Sequence, residues 1–150
     1  MTQVIRLAGA ADLAAVEAVV AAAYAIYAPR IGKKPGPMLD DHAALIGQGM
    51  VHVLDNDGTV DGLVVLIPGD EAMILHNVAV RPNAQKLGYG RKLLAFAEDA
   101  ARHAGYLEIR LYTNQAMHEN IARYLRIGFV ETHRAQEDGH NRVYMAKSLI

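Results

Sequence analysis

The chain contains no cysteine and a single serine, Ser148, two residues from its end. The first absence excludes disulfides, thiolate metal sites and a cysteine nucleophile together. The second leaves no credible serine nucleophile, because that group needs a base and an oxyanion site built around it. A chain terminus is a poor place to assemble them. A covalent acyl-enzyme is therefore not expected, and any group transfer should run directly from donor to acceptor. An excess of charge of one sign is also missing. The formal net charge is -1, so no global field steers the protein toward nucleic acid or an anionic membrane. No long apolar run is present. The alanine-rich stretch from Ala14 to Ala28 is too short and too interrupted for a bilayer, which takes about 20 apolar residues. The segment Met1 to Arg6 lacks the apolar core of a secretion signal. The cytoplasm is the expected location, with no nucleic-acid or membrane partner. Apart from His76, the histidines (His42, His52, His103, His118, His133 and His140) show no paired ligand spacing, and no metal is expected.

What is present suits one compact domain over residues 1–150. Hydrophobic residues make up 52 % and charged residues 21 %, enough for a core and too little charge for disorder. Val4 to Leu7 reads as a first strand. Asp12 is placed to cap the helix that follows, on which Leu13, Val16, Val20, Ala23, Tyr24 and Tyr27 repeat at helical spacing. Pro29 should end it, and Arg30 to Pro37 reads as loop. Asp40 to Gln48 reads as a second, short helix. Three strands, Met50–Leu54, Val60–Ile67 and Ala72–Val80, are separated by turn signals and read as an antiparallel meander. Gly90 to Ala104 is the clearest amphipathic helix, with Gly105 at its C-terminal end. Glu108–Thr113 is a strand, Met117–Ile127 a helix, and Phe129–Arg134 and Arg142–Ser148 a final strand pair. The order β-α-α-β-β-β-α-β-α-β-β gives a mixed α/β layer fold.

The most informative segment joins the third meander strand to the amphipathic helix, from Val78 to Arg91. A strand ends, a loop with Gly88 and Gly90 turns, and a helix begins. A helix N-terminus offers unpaired N–H groups and partial positive charge, which together make an anion site. Glycines let the backbone approach a bulky anion, and Lys86 and Arg91 add charge. A Walker loop is excluded because Gly90-Arg91-Lys92 lacks the hydroxyl residue after its lysine position. A dinucleotide fingerprint belongs at a first βα turn, whereas this loop follows antiparallel strands. The alternative is that both glycines merely form a tight strand-to-helix turn.

Gln85-Lys86-Leu87-Gly88-Tyr89-Gly90 resembles the Gln/Arg-x-x-Gly-x-Gly/Ala motif of the GNAT (GCN5-related) acetyltransferases. Tyr124-Leu125-Arg126-Ile127-Gly128-Phe129 resembles their second motif, Tyr-x-x-x-Gly-Phe, and the element order is similar along nearly the whole chain. The resemblance implies the GNAT acyl-CoA N-acyltransferase fold, α/β (α+β), with a mixed central sheet of about six to seven strands and flanking helices. It implies acetyl-CoA as donor, CoA as product and a primary amine of a small molecule or peptide as acceptor, all in one ternary complex. Backbone amides of Gln85, Lys86, Leu87, Gly88, Tyr89, Gly90 and Arg91 are then expected at the pyrophosphate. Val78 and Val80 are expected to pair with pantetheine as an added strand. The amide of Ala79 or Val80 is expected to polarise the thioester carbonyl, between two splayed parallel strands. Met117 stands where many members have asparagine. Asn120 either supplies that contact from one turn on, or caps or packs.

The same resemblance makes Tyr124 the acid that protonates the leaving thiolate, for which a phenol is suited at neutral pH. The alternative is a core tyrosine bonded to a backbone carbonyl. The amine must arrive neutral, through a base or a water chain. His76 is the candidate base, expected to share a strand face with Val78 and Val80 by strict alternation, and histidine changes charge near neutral pH. Asn77 would orient water or substrate. The first interhelical loop and the last hairpin should wall the acceptor site, which brings in Tyr24, Tyr27, Arg30 and Tyr144. Aromatic bodies and mixed charge there suggest a small polar or zwitterionic amine or a peptide end. The main rival is a non-catalytic acyl-CoA sensor of the same fold, which would keep the loop and lack the acid. A homodimer through the C-terminal strands is compatible with the pattern.

Overall fold

The structure is a computed structural model and describes residues 2–150. The elements run β1 (Gln3–Leu7), α1 (Leu13–Tyr24), α2 (Tyr27–Ile31), α3 (His42–Gly47), β2 (Val51–Asn56), β3 (Thr59–Pro68) and β4 (Met73–Val80). They continue α4 (Tyr89–His103), β5 (Glu108–Asn114), α5 (His118–Arg126), β6 (Val130–Glu137) and β7 (His140–Ser148). All seven strands form one sheet in the order β1-β2-β3-β4-β5-β7-β6. Every neighbouring pair is antiparallel except β4–β5, which is parallel.

Both faces of the sheet are covered. Val16, Val19, Val20 and Ala23 of α1 pack with Val51, Val53, Leu63 and Val65 on one face. Leu93, Leu94, Ala97 and Ala101 of α4 pack with Leu54, Val64, Leu66, Ile109 and Leu111 on the other. That double burial explains why Leu63 to Leu66 is a continuous apolar run rather than an alternating one. No helix among the described residues is long and apolar enough to cross a membrane.

Two features of the sheet create the site. First, β4 and β5 pair only at Met73–Ile109 and Ile74–Arg110, then diverge. The main-chain groups of β4 that face the gap beyond Ile74 therefore have no strand partner. Second, the β3–β4 register shifts between Val65–Asn77 and Leu66–Leu75, which leaves His76 as the extra residue of a β-bulge.

Three local expectations are corrected. Pro29 does not end the first helix. The chain breaks after Tyr24 and restarts as α2, where Pro29 occupies the first turn and its missing N–H is not needed. α2 ends instead at Gly32, with φ 86°. The Asp12 carboxylate does not cap α1. It accepts from the Gly9 N–H at 2.8 Å and from both terminal nitrogens of Arg6 at 2.8 and 2.9 Å, a stronger set of donors than a helix end offers. The second helix, α3, starts at His42 rather than at Asp40, and Asp41 caps it through an Ala44 N–H bond of 3.0 Å. Asp40 is thereby free for other work.

Candidate active site

The loop after β4 turns through a 3-10 segment, Pro82–Leu87, and enters α4 at Gly88, whose φ is 79°. The side-chain amide of Gln85 donates to the Val80 carbonyl at 3.1 Å and ties the loop to the strand end. The first N–H groups of α4 have no intrahelical partner. In front of them runs a groove of about 730 Å³. Val78, Ala79 and Val80 form one side, and Gln85, Gly88, Gly90 and Arg91 form the end. Arg123 and Arg126 of α5 close the far side. Neither was singled out from the sequence, although their i, i+3 spacing around Tyr124 puts them on neighbouring positions of the helix surface. The side chains of Arg91, Arg123 and Arg126 have no ion-pair or hydrogen-bond partner among the described residues. Lys86, Leu87 and Tyr89 do not line the groove. Lys86 and Leu87 point outward, and Tyr89 packs on the α4 core under Lys92.

A second cavity, of about 180 Å³, opens where β4 and β5 part. His76 and Asn77 of β4, Tyr112 to Asn114 of β5, and His140 and Arg142 of β7 line it, under a roof from Pro35 to Pro37 and Asp40. Tyr24, Val78, Asn120 and Tyr124 line both cavities and form the passage between them.

Tyr124 is 8 % exposed, and its hydroxyl has no hydrogen-bond partner among the described residues. The backbone carbonyl expected of a merely structural tyrosine is not there. Burial pushes its phenol up to about 12, so the group stays protonated across the working pH range. Asn120, one turn earlier, also makes no side-chain hydrogen bond within the chain, while Met117 is buried beside Thr113.

His76 lies on the bulge, so the expected simple alternation with Val78 and Val80 fails. The extra residue breaks the two-residue period between Leu75 and Asn77. His76 nevertheless reaches the cavity, and its Nε2 lies 2.9 Å from Oδ2 of Asp40. A carboxylate can only accept, so Nε2 is the donor in this contact, and Nδ1 is the ring nitrogen left for the cavity. Asp40 was not anticipated as a site residue, because only the tertiary fold brings it to β4. Asn77 is buried, and its Oδ1 accepts from the Tyr24 hydroxyl at 2.6 Å. Its Nδ2 has no partner. Burial drives the Tyr24 phenol well above its ordinary value, so it remains a donor.

The other acceptor-site expectations are redistributed. Tyr27 lines the groove rather than the second cavity, with Arg30 over its ring at 5.1 Å. Arg30 lines neither cavity. It pairs with Glu119 at 2.9 Å and donates to the Ala116 carbonyl at 3.2 Å. Lys33 donates to the Gly139 carbonyl at 2.8 Å. These contacts tie α2 and the segment that follows it to the start of α5 and the last hairpin. Tyr144 lines neither cavity. It stacks on His133 with centroids 4.3 Å apart and bonds Glu137, on the sheet face beyond Tyr112.

A mixed seven-stranded sheet, a strand–loop–helix crossover and a gap between two parallel strands define an α/β layer architecture with a groove at its seam. The Acetyltransferase (GNAT) family profile matches residues 17–129, and the chain belongs to that family. The family is one of acetyltransferases. Among solved structures, the chain is similar to the PaiA N-acetyltransferase of Thermoplasma acidophilum, determined in complex with coenzyme A. Identity is 20 %, coverage is 99 % of each chain and the TM-score is 0.82. It is also similar to the ribosomal-protein-S18-alanine N-acetyltransferase of Escherichia coli, at 21 % identity over 99 % of this chain and 94 % of that one, TM-score 0.74. YncA of Salmonella typhimurium, determined with acetyl-CoA, gives 21 % identity, coverage of 100 % and 95 %, and a TM-score of 0.74. No curated protein matches the chain.

Proposed function

We propose that the protein transfers acetyl from acetyl-CoA directly to the primary amine of a small molecule or peptide, with both substrates bound at once. The observation that carries this reading is the meeting of the long groove and the smaller cavity at Tyr24, Val78, Asn120 and Tyr124. A donor in one and an acceptor in the other come together there without a covalent relay, which agrees with the lack of a cysteine or usable serine nucleophile.

The groove fits the donor. The N–H groups at the start of α4, with Arg91, Arg123 and Arg126, suit the phosphates of CoA. The unpaired edge of β4 from Asn77 to Val80 suits the pantetheine amides as an added strand. Acetyl-CoA supplies the activated thioester. The main-chain N–H of Ala79 or Val80 is the donor for the carbonyl oxygen as it gains charge. Tyr124 gives its phenolic proton to the departing sulfur. His76, held by Asp40, takes the proton that the ammonium must lose before nitrogen can attack, and Asn77 and Tyr24 fix the position of the acceptor. The new C–N bond replaces the C–S bond. The second proton that nitrogen sheds on becoming an amide returns to the Tyr124 phenolate, and the first passes from His76 to solvent.

Initial-rate kinetics with both substrates varied test the direct route. Intersecting double-reciprocal lines are expected. Parallel lines, the signature of a covalent acyl-enzyme, contradict it.

A further inference from the structure

The smaller cavity carries information about the acceptor beyond its amine. Its volume, about 180 Å³, is below the range of about 300–1,000 Å³ typical of drug-sized ligand sites. It therefore takes a metabolite-sized molecule. Its walls differ in chemistry. Asp40 and His76 stand together at one wall, and Arg142 and His140 stand at the start of β7 on another.

Arg142 is under-used within the chain. Its side chain is only 16 % exposed, and its guanidinium lies over the Tyr112 ring at 4.5 Å. A guanidinium carries five donors. It donates to Glu137 at a long 3.4 Å, has the Tyr144 hydroxyl as a further hydrogen-bond partner, and Asp138 is further off at 3.9 Å. Well-made arginine–carboxylate bonds are about 2.7–2.9 Å long, so its planar fork is not satisfied from within. Asn77 also lines this cavity, and its buried Nδ2 is without a partner. Buried donors without partners are rare in folded proteins and call for an acceptor atom. Asp40, Glu137 and Asp138 near the cavity disfavour a dianion such as a phosphate monoester, and favour a single carboxylate.

We infer that the acceptor is a small amino-acid-type zwitterion, with its amine toward His76 and Asp40 and its carboxylate held by Arg142. Arg142 is thereby the specificity-determining residue. This inference rests on the placement of acetyl-CoA in the adjoining groove.

The test is a CoA-release assay over the standard α-amino acids, β-alanine and 4-aminobutyrate. Each is compared with its carboxamide and its decarboxylated amine, and O-phosphoethanolamine serves as the phosphate arm. At least one free acid should exceed its carboxamide in kcat/KM by about tenfold or more, the scale of a hydrogen-bonded charge. Arg142→Gln should remove that preference mainly through acceptor KM, and Arg142→Lys should restore part of it. Thermal stabilisation by acetyl-CoA should be the same in all three proteins, which separates this claim from the donor assignment and confirms folding. If acetyl-CoA fails to stabilise the wild-type protein, the donor reading falls first. If acetyl-CoA binds but amides, simple amines or the phosphate compound are preferred, the zwitterion inference is overturned. The same holds if no carboxylate-bearing amine turns over, or if Arg142→Gln leaves the preference intact.

Discussion

Tyr124 is the acid of the proposed mechanism, and it is buried, unbonded and common to both cavities. Replacing it with phenylalanine removes one oxygen and leaves the packing against Phe129, at 5.6 Å between centroids, in place. Tyr124→Phe should lower kcat by about 10²–10⁴-fold, the range for loss of a positioned acid, with acetyl-CoA affinity little changed. An unchanged rate in single-turnover conditions contradicts the assignment. Since burial holds the phenol at about 12, no alkaline loss of activity from this group is expected below about pH 11. Away from the site, Asp12 makes a separate prediction. The Arg6 guanidinium, and then the Gly9 N–H, hold its carboxyl at about 2, against 3.8 ordinarily. The folded state binds fewer protons than the unfolded one between those values. The stability this pair contributes is therefore complete above pH 4 and lost as pH falls toward 2. Because Arg6 is 38 % exposed, solvent reduces the effect, and Asp12→Asn should cost about 1–2 kcal/mol in urea unfolding at pH 7. Tyr124 was legible in the sequence because it stands in a local motif. Asp40 was not, because its pairing with His76 is a long-range contact with no local signature. Arg30 was misjudged for the same reason: its partner, Glu119, lies far along the chain.

At the level of elements, the strand–loop–helix unit from β4 to α4 was readable almost residue by residue. Glycine spacing and helical periodicity are local properties. The bulge at His76 was not, because it depends on the register of β3 against β4. The division of the first helical segment into α1 and α2 was hidden for a related reason. Pro29 marks a helix end or a first turn equally well, and the tertiary packing of Tyr24 and Tyr27 decides between them. Gly88→Val tests the loop. A Cβ at Gly88 meets no atom within 4 Å, so the cost to folding is the left-handed conformation, about 1–2 kcal/mol. The protein should fold and bind acetyl-CoA at least tenfold more weakly, as measured by calorimetry. Gly62 tests the layer packing instead. A Cβ there would stand 3.0 Å from Leu93 Cδ1 and 3.1 Å from the Ala79 carbonyl oxygen. Gly62→Ala should destabilise by about 1–3 kcal/mol, seen as a lower urea midpoint.

The whole molecule is a sheet covered on both faces and opened at one seam. Five antiparallel pairs hold the strands in register, and the parallel pair β4–β5 parts after Ile74. That opening joins a groove with three uncommitted arginines to a small cavity of mixed charge. Composition and element order reached the layer architecture, and the family motifs reached the loop between β4 and α4 that ends the groove. The acceptor cavity lay beyond both, because its walls come from the α2–α3 connection, β4, β5 and β7 and meet only in the folded chain. The central claim is that the groove at the start of α4 holds acetyl-CoA, and the melting temperature with and without acetyl-CoA tests it most directly. At about 100 times the dissociation constant, a ligand adds about 2.7 kcal/mol, which for this chain length is a rise on the order of 5–10 °C. The account predicts that rise with acetyl-CoA and neither with ATP nor with NAD. A folded sample that melts at the same temperature with acetyl-CoA, or that ATP or NAD stabilises equally, would contradict it.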